Sequence, residues 1–395
     1  MKRLQVAALA ALVAALCGCA ASGERSCAVN GAEAPAAQAL EATERASSLP
    51  PLKVGVFADK GPGGIGAIEW FRIVQESPDM ELTLLDGAAV RAGGLDGLDV
   101  FVMPGGASQT EFRSLGTNGV ERMKAFVRNG GGYIGTCAGC CLLMDGPVNR
   151  ARMMPWLSKA SEGHTLFLNF KLNEKGAKAM GLKPGDHTMR FHGGPFLRPT
   201  TNVIEGANIE SWGVFDAEAT VKGRLDKKKG MYGATALVGG TYGKGRVFAT
   251  SAHPEYFDST LYIVRGAFRY VTGREVRFPK RLRRPGAISV GFIAKGISGV
   301  ETAETALAFA AAKDMDLVLI DMDGIFQRRL DHIDALVVTS DAPKNNKTLA
   351  AAIADFAARG GKVVGYGTGR EALPPGGVEC GSREEAVKAV RALFR

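Results

Sequence analysis

Three short motifs in this sequence carry residues that could together perform nucleophilic chemistry. The first, at 131–139 (GGYIGTCAG), reads as a buried strand that enters a G-x-C-x-G turn centred on Cys137. Glycines on both sides of a nucleophile allow the strained turn that lifts its side chain out of the strand end, and the positive end of a following helix favours the charged thiolate. The pattern predicts Cys137 as a nucleophile, but G-x-C-x-G alone is weakly specific.

The second motif lies far downstream, where an apolar strand pattern at 245–251 is followed by Ala252 and the triplet His253, Pro254 and Glu255. A histidine at a strand end can act as a general base, and a carboxylate two residues further on can orient its ring. We therefore predict that Cys137, His253 and Glu255 form a catalytic triad.

The third motif is an apolar strand at 99–103 that ends in Pro104, Gly105 and Gly106. Glycines here leave backbone N–H groups free to point at a developing oxyanion, together with the N–H of Ala138. All three motifs follow strands, and ligands bind at the carboxyl ends of strands in open parallel sheets. The sequence thus predicts that the thiol, the His-x-Glu pair and the Gly-Gly loop belong to one site.

The order P-G-G, G-x-C-x-G, H-P-E resembles the class I glutamine amidotransferase-like superfamily over roughly residues 52–273. More narrowly, it resembles the domain at the N-terminus of some eukaryotic biotin–protein ligases, which also occurs as stand-alone bacterial proteins. The resemblance implies a parallel, doubly wound, flavodoxin-like α/β sheet, with Cys137 as nucleophile, His253 as base and Glu255 as its orienting partner. It also implies a loop that lines the pocket, formed by His192, Gly193 and Gly194.

Residues 1–19 read as a targeting segment rather than as part of the fold. A basic start precedes an alanine-rich apolar run that is too short to span a bilayer. The run ends in Cys19, which resembles the lipidated residue of a bacterial lipobox; an ordinary secretory signal with incidental cysteines is the alternative. Lipid on Cys19 would anchor the protein at a membrane surface, and Ala20 after it favours the periplasmic face of the outer membrane.

The last part of the chain, 287–395, repeats the first half of the main domain. The segment 356–369 (FAARGGKVVGYGTG) parallels 126–139 (FVRNGGGYIGTCAG). In this alignment Gly367 stands in the place of Cys137, so the copy lacks the nucleophile. We predict a second, smaller α/β half-copy domain that serves as a structural element or a binding surface.

These features divide the chain into five predicted segments. A signal peptide at 1–19 is followed by a flexible tether at 20–51, which is rich in Ala, Glu, Ser and Pro. The amidotransferase-like domain occupies 52–273, a basic linker 274–286 and the half-copy 287–395.

The basic character of the chain bears on its partners. The formal charge of +9 falls to +7 when Lys2 and Arg3 leave with the signal, and a basic run lies within 274–286. Such a run is typical of nucleic-acid binding, but the lipobox argues against a nucleic-acid partner and for anionic lipid or cell-wall polymer. A solvated linker is the simplest alternative.

The sequence predicts no cofactor and no metal. The loop 61–66 fits a loose dinucleotide motif with Asp86 as ribose partner, but Pro62 replaces a useful N–H, so we interpret the loop as a turn beside the pocket. His164, His187 and His192 lack the close spacing of a zinc site.

One further cysteine, Cys140, lies three residues after Cys137, which is the spacing of thiol–disulfide exchange motifs. A thioredoxin-like context with a cis-proline loop is not identifiable in the sequence. We therefore interpret Cys140 as a packing residue, with reversible protection of Cys137 as an open hypothesis.

The function predicted from these motifs is a cysteine-dependent amide hydrolase at the cell envelope. It would act on a small-molecule or peptide amide through a thioester acyl-enzyme. The alternative is a non-catalytic binding or scaffold lipoprotein that retains the fold.

Overall fold

The computed structural model describes residues 49–146, 150–159, 164–217, 220–221, 224–225, 230–278, 284–293, 299–320, 325, 328–339, 346–367 and 373–395. The predicted signal peptide, Cys19 and most of the predicted tether lie outside these residues. Within them, no helix is both long enough and apolar enough to cross a membrane.

The strands and helices alternate along most of the described chain. The strands are β1 Leu52–Phe57, β2 Met80–Leu85, β3 Val100–Met103, β4 Gly132–Thr136, β5 Trp156–Lys159, β6 His164–Leu172, β7 Gly185–His192, β8 Phe196–Pro199, β9 Ala207–Phe215, β10 Thr220–Val221, β11 Arg224–Leu225, β12 Thr235–Tyr242, β13 Gly245–Thr250, β14 Ile288–Ile293, β15 Met315–Ile320, β16 Ala335–Thr339, β17 Lys362–Tyr366 and β18 Val378–Cys380. The helices are α1 Gly64–Glu76, α2 Gly87–Arg91, α3 Ser108–Arg128, α4 Ala138–Leu143, α5 Glu174–Met180, α6 Leu261–Thr272, α7 Val300–Ala311, α8 Lys347–Ala358 and α9 Arg383–Ala392.

The larger sheet begins with five parallel strands in the order β2-β1-β3-β4-β13. Helices separate these strands in the chain and cover both faces, which explains why β3 is apolar and buried at every position. The carboxyl ends of β3, β4 and β13 therefore lie side by side. The predicted α/β fold class, with a doubly wound parallel sheet, is confirmed.

An antiparallel half extends this sheet beyond β13, in the order β12-β9-β6-β7, with β5 and β8 beside it. The sequence analysis predicted only the parallel part, so the prediction was incomplete here. The hairpin of β12 and β13, with Leu237 opposite Thr250, joins the two halves and ends the run of parallel pairs.

The smaller sheet is parallel, in the order β15-β14-β16-β17-β18, and its first four strands follow the order of β2-β1-β3-β4. A hydrogen bond from the first strand of each sheet to the aspartate before or at its third strand, which we call the clamp, also recurs. The N–H of Lys53 donates to Asp99 Oδ2, and that of Ser289 donates to Asp334 Oδ2, both at 2.8 Å. The second, smaller α/β sheet predicted from the repeat is confirmed.

Helices α1 and α7 pack against each other and join the cores of the two sheets. Trp70 and Phe71 of α1 and Phe309 of α7 are fully buried in one continuous apolar cluster. Burial of each such side chain contributes about 2 to 3 kcal/mol. This packing holds α1, whose first turn lies at the predicted site, in a fixed position.

A buried ion pair holds the predicted linker against the start of β2. The Arg277 guanidinium donates to both oxygens of Asp79, and the Arg277 N–H donates to Asp79 Oδ2 at 2.8 Å. Asp79 is only 5% exposed. The bonds from Arg277 hold the pKa of the Asp79 carboxyl below its usual value despite its burial.

Replacement of Asp79 by Ala should therefore cost about 1.5 to 3 kcal/mol of unfolding free energy at pH 7, the range for hydrogen bonds to charged groups. The pKa of Asp79 is lower in the folded state, so its contribution is present above about pH 4 and is lost as the pH falls through the folded pKa. Urea unfolding at pH 7 and pH 3 would measure this.

The matched control is Asp96→Ala, which removes an exposed carboxylate that makes no side-chain hydrogen bond or ion pair within the described residues. It should leave the unfolding free energy within about 0.5 kcal/mol of wild type. An equal loss for Asp79→Ala at both pH values would contradict the electrostatic explanation.

Candidate active site

Cys137 occupies a strained turn between β4 and α4. Its backbone has φ 50° and ψ −102°, a conformation that residues with side chains rarely adopt. A Cβ on Gly139 would lie 2.1 Å from the carbonyl oxygen of Met103, so this position admits only glycine. The N–H of Cys137 donates to the carbonyl of Thr250 at 2.8 Å and ties the turn to the end of β13. This is the geometry of a nucleophile elbow.

His253 and Glu255 lie directly after β13 and are buried together. His253 Nδ1 is 2.8 Å from Glu255 Oε1. The N–H of His253 donates to the carbonyl of Arg190 at 2.8 Å, which fixes the residue against β7. The imidazole also lies beside the Cys137 side chain, because both groups pack against the position of Gly105. The structure thus brings the three predicted triad residues together, with His253 in the middle.

The surrounding charges keep the imidazole protonated. Burial by itself would lower the pKa of His253, but the Glu255 carboxylate and the Cys137 side chain outweigh it and raise that pKa to about 10. An imidazolium next to a thiol favours the thiolate. A protonated imidazole at this position can also give its proton to a leaving group.

The glycine-rich turn before α1 lies against the carboxylate of this pair. A Cβ on Gly66 would be 2.8 Å from Glu255 Oε1 and 3.4 Å from His253 Nδ1. Gly66 belongs to the first turn of α1, and a helix N-terminus favours a nearby negative charge. The side chain of Asp86, the ribose partner considered above, accepts the N–H of Ala89 and caps α2.

The loop after β3 passes close to the triad. A Cβ on Gly105 would lie 2.5 Å from His253 Cε1 and 2.9 Å from Cys137 Cβ. Within the described residues, the N–H groups of Gly106 and Ala138 donate no hydrogen bond, and both residues line the cavity at Cys137. Two unused donors beside the nucleophile are suitable for holding an oxyanion.

The predicted pocket loop after β7 also reaches the nucleophile, but through its backbone. The Cys137 thiol donates to the carbonyl oxygen of His192 at 3.6 Å, while the His192 side chain is exposed. Gly193 lines the cavity, and Gly194 packs so closely on Ser251 that a Cβ would lie 1.8 Å from its carbonyl oxygen.

The remaining histidine and cysteine candidates have structural surroundings. Both ring nitrogens of His187 are hydrogen-bonded at 2.8 Å, one to the Tyr262 hydroxyl and one to the Lys183 carbonyl. The side chain of His164 lies outside the described residues. Cys140 is a free thiol in an apolar cluster, and burial raises its pKa well above the usual value.

Three side chains near the nucleophile were missed by the sequence reasoning. Arg113 and Arg150 line the cavity, and Glu111 interacts electrostatically with both Cys137 and Arg150. Glu111 and Arg113 lie within the first two turns of the helix that follows the Gly105–Gly106 loop, which is a usable signal. Arg150 carries none, because only the path of the chain after α4 brings it to the cavity.

Residues 96–270 match the family model described as the N-terminal domain of biotin–protein ligase. The match runs from just before β3 into α6 and contains Cys137, His253 and Glu255. It covers less than half of the chain, and it supports the narrower of the two resemblances found in the motifs. A search of curated proteins found no match.

Solved structures with a similar arrangement are distant in sequence. A ThuA-like protein from Bacteroides uniformis is 11% identical, with 58% of this chain and 95% of that chain covered and a TM-score of 0.44. The PurLQS structure from Thermotoga maritima is 12% identical, with 56% and 99% covered and a TM-score of 0.39. Similarity at this level carries no information about chemistry.

The closeness of Gly105 to the triad leads to a test. The methyl group of Gly105→Ala would overlap the His253 ring, so the imidazole should be displaced from Cys137. We expect the rate of Cys137 alkylation at pH 7 to fall by roughly tenfold or more, as expected when a positioned base is lost. Peptide mass spectrometry with iodoacetamide would measure this rate.

Gly381→Ala is the control, because its added methyl would lie 3.4 Å from the nearest side-chain atom. Gly381 directly follows β18 of the smaller sheet, whereas Cys137 belongs to the larger sheet. It should alkylate at the wild-type rate. A Gly105→Ala protein with a normal circular dichroism spectrum and an unchanged rate would show that the loop does not position His253.

Proposed function

We propose that this protein is a cysteine-dependent amide hydrolase that works through a thioester acyl-enzyme. The observation that carries the proposal is the placement of His253 beside both Cys137 and Glu255, next to two N–H groups that donate no hydrogen bond within the described residues. The narrow match to the biotin–protein ligase N-terminal domain and the wider resemblance to glutamine amidotransferases are consistent with it. Neither identifies a substrate.

In the proposed acylation, the Cys137 thiolate attacks the amide carbonyl carbon and a C–S bond forms. The N–H groups of Gly106 and Ala138 hold the oxyanion of the tetrahedral intermediate. His253 then gives its proton to the amide nitrogen, the C–N bond breaks, and the amine leaves. Glu255 keeps the ring oriented through Nδ1.

Deacylation reverses these roles. A water molecule gives a proton to the now neutral His253 and attacks the thioester carbonyl. The C–S bond breaks, the carboxylic acid leaves, and the thiolate and imidazolium form again. The two half-reactions together consume one amide and one water and release one acid and one amine.

We also propose that the protein acts at the cell envelope, held by lipid on Cys19. The support for this is the lipobox-like end of the N-terminal apolar run. Membrane fractionation of cells that express the full chain should place wild type with the membranes. Cys19→Ala should fall out of that fraction, whereas Cys27→Ala should not, and equal membrane association of all three would contradict the lipid anchor.

The Cys–His pair is tested by the pH dependence of Cys137 alkylation. With a His253 pKa of about 10, the imidazolium should persist between pH 6 and 9, so Cys137 in the wild type should be alkylated faster than in His253→Ala across this range. In His253→Ala the rate at pH 7 should be lower by roughly tenfold or more. It should then increase as the pH approaches the free-thiol pKa of about 8.5. Iodoacetamide labelling, followed on the Cys137 peptide, measures both profiles.

His332→Ala is the matched control, because this histidine is exposed and belongs to the part of the chain that forms the smaller sheet. Its profile should follow wild type. If His253→Ala and wild type share one slow, pH-dependent profile, the thiol is not activated by His253 and the proposed hydrolase mechanism is wrong.

A further inference from the structure

The cavity at Cys137 is large enough for a small substrate. Its volume is about 480 Å³, within the usual range for ligand pockets. The thiol and the oxyanion donors lie along one part of its wall. The first two turns of α3 form much of the remaining wall, and Cys141, Met144, Arg150 and Ser158 add to it.

That wall is positively charged. Arg113 and Arg150 both line it, and no described carboxylate does. Within the described residues, Arg113 has no ion pair or hydrogen-bond partner. The polar side chains beside the arginines are neutral and can donate hydrogen bonds, namely Ser108, Gln109, Thr110 and Ser158.

The carboxyl group that interacts with Arg150 lies in surroundings that disfavour its charged form. Glu111 is fully buried, and neither of its oxygens has a hydrogen-bond partner within the described residues. Burial, and then the nearby Cys137, raise the pKa of Glu111 well above its usual value, although Arg150 opposes this. Burial thus disfavours the charged form of Glu111, whereas both guanidinium groups on the cavity wall carry a positive charge.

We propose that the substrate of Cys137 carries an anionic group next to the acyl group that is attacked, and that Arg113 and Arg150 bind this group. The inference rests on the proposed function and adds the substrate class to it. A guanidinium binds carboxylate or phosphate in the same forked geometry, so both are candidates. A neutral amide of the same size would leave the Arg113 guanidinium with no ionic partner among the described residues.

The charge preference is measured by alkylating Cys137 with iodoacetate and, separately, with the neutral iodoacetamide. The quantity of interest is the ratio of the two rates, divided by the same ratio for free glutathione at the same pH. We expect the corrected ratio to be roughly ten. A tenfold effect corresponds to the free energy of one charge-assisted hydrogen bond. A corrected ratio near one would overturn the inference, as would the absence of labelling by either reagent up to pH 9.

The arginine variants separate this effect from attraction to the His253 imidazolium. Arg150→Gln and Arg113→Gln should each lower the corrected ratio severalfold, and Arg113 is exposed, so its replacement should not disturb folding. Arg122→Gln removes a charge from the same helix at an exposed position away from the cavity wall and should leave the ratio unchanged. A raised ratio that neither cavity variant lowers would assign the effect to His253 and overturn the inference.

The same measurements distinguish a failure of this inference from a failure of the proposed function. The absolute iodoacetamide rate and its dependence on His253 test the proposed hydrolase, whereas the ratio can be measured even for a slow thiol. The anion is then identified by protection of Cys137 against iodoacetamide. Stronger protection by succinate than by inorganic phosphate indicates a carboxylate, and the reverse order indicates a phosphate.

Discussion

The structure depends on how closely three strand ends approach one another around the buried pair of His253 and Glu255. Gly66, Gly105 and Gly139 lie where a single Cβ would overlap the pair, the loop of the nucleophile or the neighbouring strand. Large side chains at these points would separate β3, β4 and β13 at their carboxyl ends. The glycines leave space for the charged groups, and the parallel sheet holds the three loops in register.

Such a site is costly to form. The pair of His253 and Glu255 is removed from water, and Cys137 is held at a positive φ, which costs about 1 to 3 kcal/mol. The surrounding structure offsets these costs. The first turn of α1 lies next to Glu255, and α1 is itself fixed by the apolar core that it shares with α7. The core thus stabilises groups that would be unfavourable alone.

The smaller sheet repeats backbone features of the larger sheet but not its reactive side chains. Gly367 has φ 65° at the position that aligns with Cys137, where φ is 50°, so the positive φ recurs after the corresponding strand of the smaller sheet in a residue without a side chain. The clamp between the first and third strands also persists, through Asp99 in one sheet and Asp334 in the other. The same fold therefore exists with and without the groups that could react. Function has to be argued from the site, not from the fold.

The sequence by itself indicated the parallel strands, the repeat and the three residues that we predicted to form a triad. These features depend on local patterns, namely apolar runs, glycine pairs and short motifs at strand ends. Only the tertiary structure decided the antiparallel half of the larger sheet, the burial of Glu111 and the arrival of Arg150 at the cavity. Each of these depends on contacts between segments that are distant in the chain, and such contacts leave no periodic pattern in the residues that make them.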